Sequence, residues 1–151
     1  MNLEITRACE EDASELIEAR NKSFYDDYVK FGDCPGYHIP LEDMIDKIRD
    51  FFVFKILHAG KIIGDISVNK LGEGYYWIGC LEIIPKYQNK GLGSKVLGYI
   101  DAEFPDAKRW GLDTPVQNER NCRFYEKMGF SKVEDKEISE KLTLRLYEKS
   151  L

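Results

Sequence analysis

Only two histidines occur in the 151 residues, His38 and His58, and the four cysteines are scattered. Cys9, Cys34, Cys80 and Cys122 form no C-x-x-C pair and have no histidine cluster beside them, so no zinc site or histidine-activated thiol is expected. Free, partly buried thiols and no bound metal are the expectation. No apolar run reaches the ~20 residues that a bilayer-spanning helix needs, and residues 1–16 carry acids throughout, unlike a secretory signal. A cytoplasmic protein with no membrane partner follows. Basic residues are the minority, 22 Lys and Arg against 27 Asp and Glu, for a net charge of −5. That balance argues against nucleic acid, whose phosphates need clustered cations. Internal repeats and low-complexity tracts are also missing. With 43% hydrophobic residues, the chain reads as one globular domain, residues 1–151.

What is present is a change of hydrophobic period along the chain. Residues 3–7 alternate as a short strand, and Leu16, Ile17 and Arg20 recur at helical spacing over residues 12–24. From 25 to 40, the segment YDDYVKFGDCPGYHIP mixes rings with Gly32, Pro35, Gly36 and Pro40 and reads as a folded loop. Met44, Ile45 and Ile48 mark a second helix over 41–49. The runs FFVFKIL, KIIGDISVNKL and YYWIGCLEIIP, separated by Ala59-Gly60 and Gly72-Glu73-Gly74, predict an antiparallel meander. Another helix carries Leu92, Val96, Leu97, Ile100 and Phe104 on one stripe and stops at Pro105. RWGLDTP is a strand, and Asn118 caps a helix reaching Met128, with Gly129 and Phe130 as its C-terminal signal. Strands over 131–138 and 141–148 close the chain, the second alternating Leu142, Leu144 and Leu146 with polar residues. The order β-α-α-β-β-β-α-β-α-β-β defines an α+β, mixed α/β, domain.

The stretch QNKGLGS, residues 88–94, sits where a strand and proline give way to a helix. A helix start offers unpaired N–H groups and the positive end of the helix dipole, and glycines let a ligand approach that backbone. The amides of Lys90, Gly91, Leu92, Gly93 and Ser94 are therefore positioned for one anion. No G-x-x-x-x-G-K-[ST] is present, and Val96 stands where a dinucleotide fingerprint wants a small residue. Close packing of the helix is an equal explanation of the two glycines.

Two blocks together add a resemblance. LEIIPKYQNKGLGSKVL, with Gln88-Asn89-Lys90-Gly91-Leu92-Gly93 in the form Q/R-x-x-G-x-G/A, and the later NERNCRFYEKMGF both resemble motifs of the GNAT family of N-acetyltransferases. The resemblance implies an acyl-CoA N-acyltransferase-like fold: a central, mostly antiparallel twisted sheet flanked by helices. It also implies acetyl-CoA as co-substrate, with its pyrophosphate on the amides of Gln88, Lys90, Gly91, Leu92, Gly93 and Ser94. The pantetheine arm would pair with main-chain groups of Leu81, Ile83 and Ile84, and Asn121 would contact the same arm. Tyr125 matches the tyrosine that protonates the departing sulfur. An amide near Ile83 or Ile84 would hold the oxyanion.

Strand alternation puts Glu82 on the face opposite Leu81 and Ile83, which makes it the candidate base for the acceptor amine; a lysine-paired or exposed glutamate is the alternative. The resemblance implies that the loop between the first two helices and the strand meander shape the acceptor pocket. That points to Tyr28, Tyr37 and His38, beside Tyr25, with Asp26, Asp27 and Asp33 to attract a cation. Direct acetyl transfer to a primary amine of a small molecule is the expected activity, and polyamines, aminoglycosides and amino acids all fit. A non-catalytic acyl-CoA-binding module and a protein N-acetyltransferase are the alternatives. The resemblance allows a monomer or a homodimer.

Overall fold

The period-2 stretches pair into one seven-stranded sheet, ordered β1-β2-β3-β4-β5-β7-β6. A computed structural model describes residues 2–32 and 34–151 of the protein. The strands are β1 (Glu4–Arg7), β2 (Phe52–His58), β3 (Lys61–Gly72), β4 (Tyr75–Ile83), β5 (Arg109–Pro115), β6 (Ser131–Glu137) and β7 (Thr143–Ser150). Helices α1 (Ala13–Phe31) and α2 (Leu41–Asp50) precede β2, α3 (Leu92–Glu103) links β4 to β5, and α4 (Glu119–Lys127) follows β5. All neighbours are antiparallel except β4 and β5, which need a crossover helix and have α3 for it. The mixed α+β architecture with a mostly antiparallel sheet is the one expected.

Helix α1 runs seven residues further than its apolar spacing suggests, and the loop expected from Tyr25 is helical as far as Phe31. YDDYVKF contains no glycine or proline, so nothing stops the helix before Gly32, whose φ of 73° caps it as the Gly32 N–H donates to the Tyr28 carbonyl. This extension sorts the segment by face. Phe24, Asp27 and Phe31, at helical spacing, line the interior cavity, while Tyr25, Tyr28 and Val29 are exposed.

The sheet has a core on each face. On one side Phe52, Phe54 and Tyr76 meet Tyr99 of α3 and Phe104 edge-on or tilted. On the other, α1 packs on β3 and β4, and α2 on β2. The leucine alternation of the last strand is only half of its design. Tyr147 is its fully buried residue, and its hydroxyl donates to Glu126 Oε2 at 2.6 Å.

Strand β4 carries one residue too many. Ser67 pairs with Cys80 and Val68 with Ile78, so Gly79 is a bulge. Asp65, Ser67, Cys80 and Glu82 consequently share the α1 face. Pairing of β4 with β5 runs from Tyr75↔Arg109 to Ile78↔Leu112 and ends there. Beyond the bulge the two strands part.

Candidate active site

The parted strands open into a cavity of about 400 Å³. Its walls come from α1, the segment before α2, α2 itself, β3, β4, β5, α4 and β7. At the split, the Ile84 N–H donates to the Ile63 carbonyl at 2.8 Å, which turns Ile84 toward β3. Alternation then directs the N–H and C=O groups of Leu81 and Ile83 away from β3, toward the gap. Ile84 therefore cannot supply the free amide expected of it, because β3 already holds that amide. The Ile83 carbonyl accepts from Gln88 Nε2 at 2.7 Å, and Arg120 of α4 donates to Gln88 Oε1. A side-chain bridge thus spans the gap from β4 to α4.

The two loop glycines have different tasks. Gly91 is the N-cap of α3 with φ 74°, and a Cβ built there would meet no atom within 4 Å. The left-handed backbone requires glycine, and the space outside it is open. Gly93 is a packing glycine: its Cβ would come within 2.9 Å of the Phe124 ring of α4. Lys90 and Ser94 are exposed, whereas the Leu92 side chain is buried and leaves only its backbone to the loop. Ser94 Oγ donates to the Gly91 carbonyl at 3.0 Å.

On α4, Asn118 Oδ1 accepts from the Asn121 N–H at 3.1 Å, the expected cap. Asn121 and Tyr125 both line the cavity. Tyr125 is 6% exposed, its ring packs on Phe124, Phe130 and Tyr147, and its hydroxyl has no hydrogen-bond partner among the described residues. Burial, with smaller contributions from Cys80 and Asp113, pushes its pKa up and keeps the phenol protonated. Cys80 also lines the cavity, and burial raises its pKa so that it is a thiol rather than a thiolate.

Glu82 does not line the cavity. It is 4% exposed beneath α1, where Ser23 Oγ donates to its Oε2 and its Oε1 is buried with no hydrogen-bond partner among the described residues. Burial, and next the charge of Asp65, raises its pKa well above the ordinary 4.5, so the neutral acid is favoured. Asp65 in turn holds Arg20 through two hydrogen bonds, 3.2 and 2.6 Å, with side-chain exposures of 0% and 4%. Arg20 reaches the cavity wall and Glu82 stands behind it.

Tyr28, Tyr37 and His38, expected around the acceptor, stack on one another instead, with centroids 4.5 Å apart for the tyrosines and 3.9 Å for Tyr37 and His38. None of them lines the cavity, because the longer α1 turns Tyr28 outward. Asp33 lies outside the described residues. Phe24, Phe31, Phe51, Trp77 and Leu144 provide the apolar wall, and Asp27, Lys47 and Asp113 its other ionisable groups. Only the i, i+7 spacing of Phe24 and Phe31 could have signalled this wall in the sequence.

A split sheet, a glycine-capped helix near the split and a buried tyrosine beside it are the arrangement that the resemblance to N-acetyltransferases led us to expect. The model of the Acetyltransferase (GNAT) family matches residues 11–130, and the chain belongs to that family. It is 30% identical over 109 residues to the uncharacterized protein YrkN of Bacillus subtilis (strain 168), a match covering 69% of this chain and 59% of that protein's length. It is similar in structure to the PaiA N-acetyltransferase of Thermoplasma acidophilum, solved in complex with coenzyme A, with TM-score 0.85, 22% identity and 100% of both chains covered. An acetyltransferase from Thermus thermophilus superposes with TM-score 0.80 at 20% identity, covering 100% of this chain and 98% of the other. Among the described residues, no helix is long and apolar enough to cross a membrane.

Proposed function

We propose that this protein is an acetyl-CoA-dependent N-acetyltransferase that moves the acetyl group directly to the primary amine of a small molecule. The carrying observation is the unpaired edge of β4: Leu81 and Ile83 turn backbone polar groups toward a gap that has Tyr125 on its far side. In this reading the pantetheine arm pairs with Leu81 and Ile83 as an added strand, displacing Gln88 from the Ile83 carbonyl. The amides of residues 88–94 hold the pyrophosphate, an assignment favoured by the open space at Gly91 and by the dipole of α3. Asn121 contacts the arm, Tyr125 donates the proton that the leaving sulfur needs, and the Ile83 N–H faces the oxyanion. Glu82 stays out of the chemistry in this reading, buried under α1 beside the Asp65–Arg20 pair.

Direct transfer is favoured over an acyl-enzyme because Cys80, the thiol beside Tyr125, is kept protonated. The experiment is release of CoA thiol from acetyl-CoA with a panel of amines, beside thermal melting with acetyl-CoA alone. Amine-dependent release together with raised stability is the expected result; at a hundredfold excess over Kd the stabilisation is about 2.7 kcal/mol. Stabilisation with no release across the panel would favour a non-catalytic acyl-CoA-binding module. No stabilisation would remove the acyl-CoA reading altogether.

A further inference from the structure

The mechanism above leaves the acceptor's proton without a destination, since Glu82 is off the cavity wall. Two carboxylates remain on that wall, Asp27 of α1 and Asp113 of β5. Asp113 follows Leu112, the last residue of β5 paired with β4, and so stands where the strands begin to part. Pairing of Trp77 with Gly111 puts Trp77, Gly111 and Asp113 on one face, and a Cβ at Gly111 would come within 2.8 Å of the indole. The indole therefore lies across Gly111, and Asp113 is the next residue of β5 on that same face. Among the described residues the Asp113 carboxylate has no hydrogen bond and no ion pair, although it lines the cavity. Asp113 is exposed at the cavity wall, the desolvation it does meet there raises its pKa, and its charge is felt at Tyr125, as that of Asp27 is not. Burial raises the pKa of Asp27 as well, but the charges acting on it are those of Lys30, Asp26 and Arg120.

We propose that Asp113 is the residue that receives the acceptor's ammonium group and takes its proton, and that the acceptor is a primary amine on an apolar, ring-sized body. This deepens the transferase reading and rests on it. A carboxylate beside an indole face is a ring-and-anion setting for one ammonium group. The body of the acceptor then meets Phe24, Phe31, Phe51 and Leu144. A second cationic group on the acceptor would face Lys47 and the locked Arg20. In the reaction, Asp113 removes one proton from the ammonium and passes it to solvent. The freed nitrogen pair forms the bond to the acetyl carbon, and the carbon–sulfur bond breaks. Tyr125 gives its proton to the sulfur and regains one from the nitrogen as the amide forms. The products are the N-acetyl amine, CoA thiol and one released proton.

The test compares β-phenylethylamine, tryptamine and spermidine as acceptors for the wild type, Asp113→Asn and Asp113→Glu. Melting with acetyl-CoA checks that each variant folds and binds the donor. Ionisable neighbours on the walls are Arg20, Asp27, Cys34, Lys47, Cys80 and Tyr125, so pH profiles of all three proteins are compared with these groups unchanged. The expected results are kcat/KM higher for the aryl amines than for spermidine, and a loss of about 100-fold in kcat for Asp113→Asn. The acidic limb of the wild-type profile should vanish in Asp113→Asn and return in part in Asp113→Glu. Full activity of Asp113→Asn with its acidic limb intact, or a preference for spermidine, would overturn the proposal. Calorimetry with β-phenylethylamine in the presence of CoA separates the two readings. Asp113-dependent binding without turnover on any amine would sink the transferase and keep the amine site; no binding and no turnover would sink both.

Discussion

The two ends of the cavity are built from different material. The end proposed for the donor is mostly backbone: the unpaired edge of β4, with the left-handed Gly91 and the first turn of α3 near it. The end proposed for the acceptor is side chain: a phenylalanine wall from α1 and Phe51, one indole, two carboxylates, and Arg20 held by the buried Asp65. Backbone presents the same groups whatever the residue, so the donor end depends on a few glycines that allow its shape. Side-chain walls depend on every residue that forms or supports them.

The comparison breaks most readily at the support of the acceptor end. Asp65→Ala leaves Arg20 charged, buried and unpaired, and is expected to cost about 3–5 kcal/mol in chemical denaturation. A loss below about 1 kcal/mol would mean that water reaches Arg20 and that the cluster is not a foundation. Next in size is Tyr125→Phe at the donor end. Turnover should fall about 100-fold while acetyl-CoA still raises the melting temperature as in the wild type; equal losses in binding and rate would reduce Tyr125 to a packing residue. Gly93→Ala tests whether the donor end tolerates side chains at all. Its methyl must displace the Phe124 ring, with an expected cost of about 1–3 kcal/mol and weaker CoA binding, measured by melting and calorimetry.

The smallest effect concerns pH. Burial raises the folded-state pKa of Glu82 above its unfolded value, so the neutral form favours folding. That contribution is complete below about 4.5 and is lost as pH rises through the folded pKa. Glu82→Gln, which cannot ionise, should therefore gain stability relative to the wild type as melts move from acid to alkaline buffer. Parallel profiles would show that Glu82 titrates as an ordinary surface acid does.

The same contrast decides what could be read from the sequence. The element order and the glycine-capped helix follow from period and from residues whose backbone behaviour is nearly unique, as at Gly32, Gly91 and Gly129. Asn118 announces its own role because a cap is a local interaction over three residues. The acceptor wall is not local. Phe24, Trp77, Asp113 and Leu144 are brought together by helix length, strand pairing and a register shift, none of which is a property of any one window of sequence. The helix past Tyr25 turned Tyr28 outward, where Tyr37 and His38 stack beside it, and the pleat hid Glu82 under α1.

The extra residue in β4 has a further meaning when its inward apolar positions are read as a rhythm. Tyr76, Ile78, Leu81 and Ile83 run in steps of two, three and two, so the strand changes phase once, at Gly79. Removing Gly79 would leave Ile78 and Cys80 in consecutive register with Val68 and Ser67, each on its present face. The β4–β5 ladder stops one residue before the beat at Gly79, at Ile78↔Leu112. The change of phase and the opening of the cleft thus fall together, at one syncopated residue.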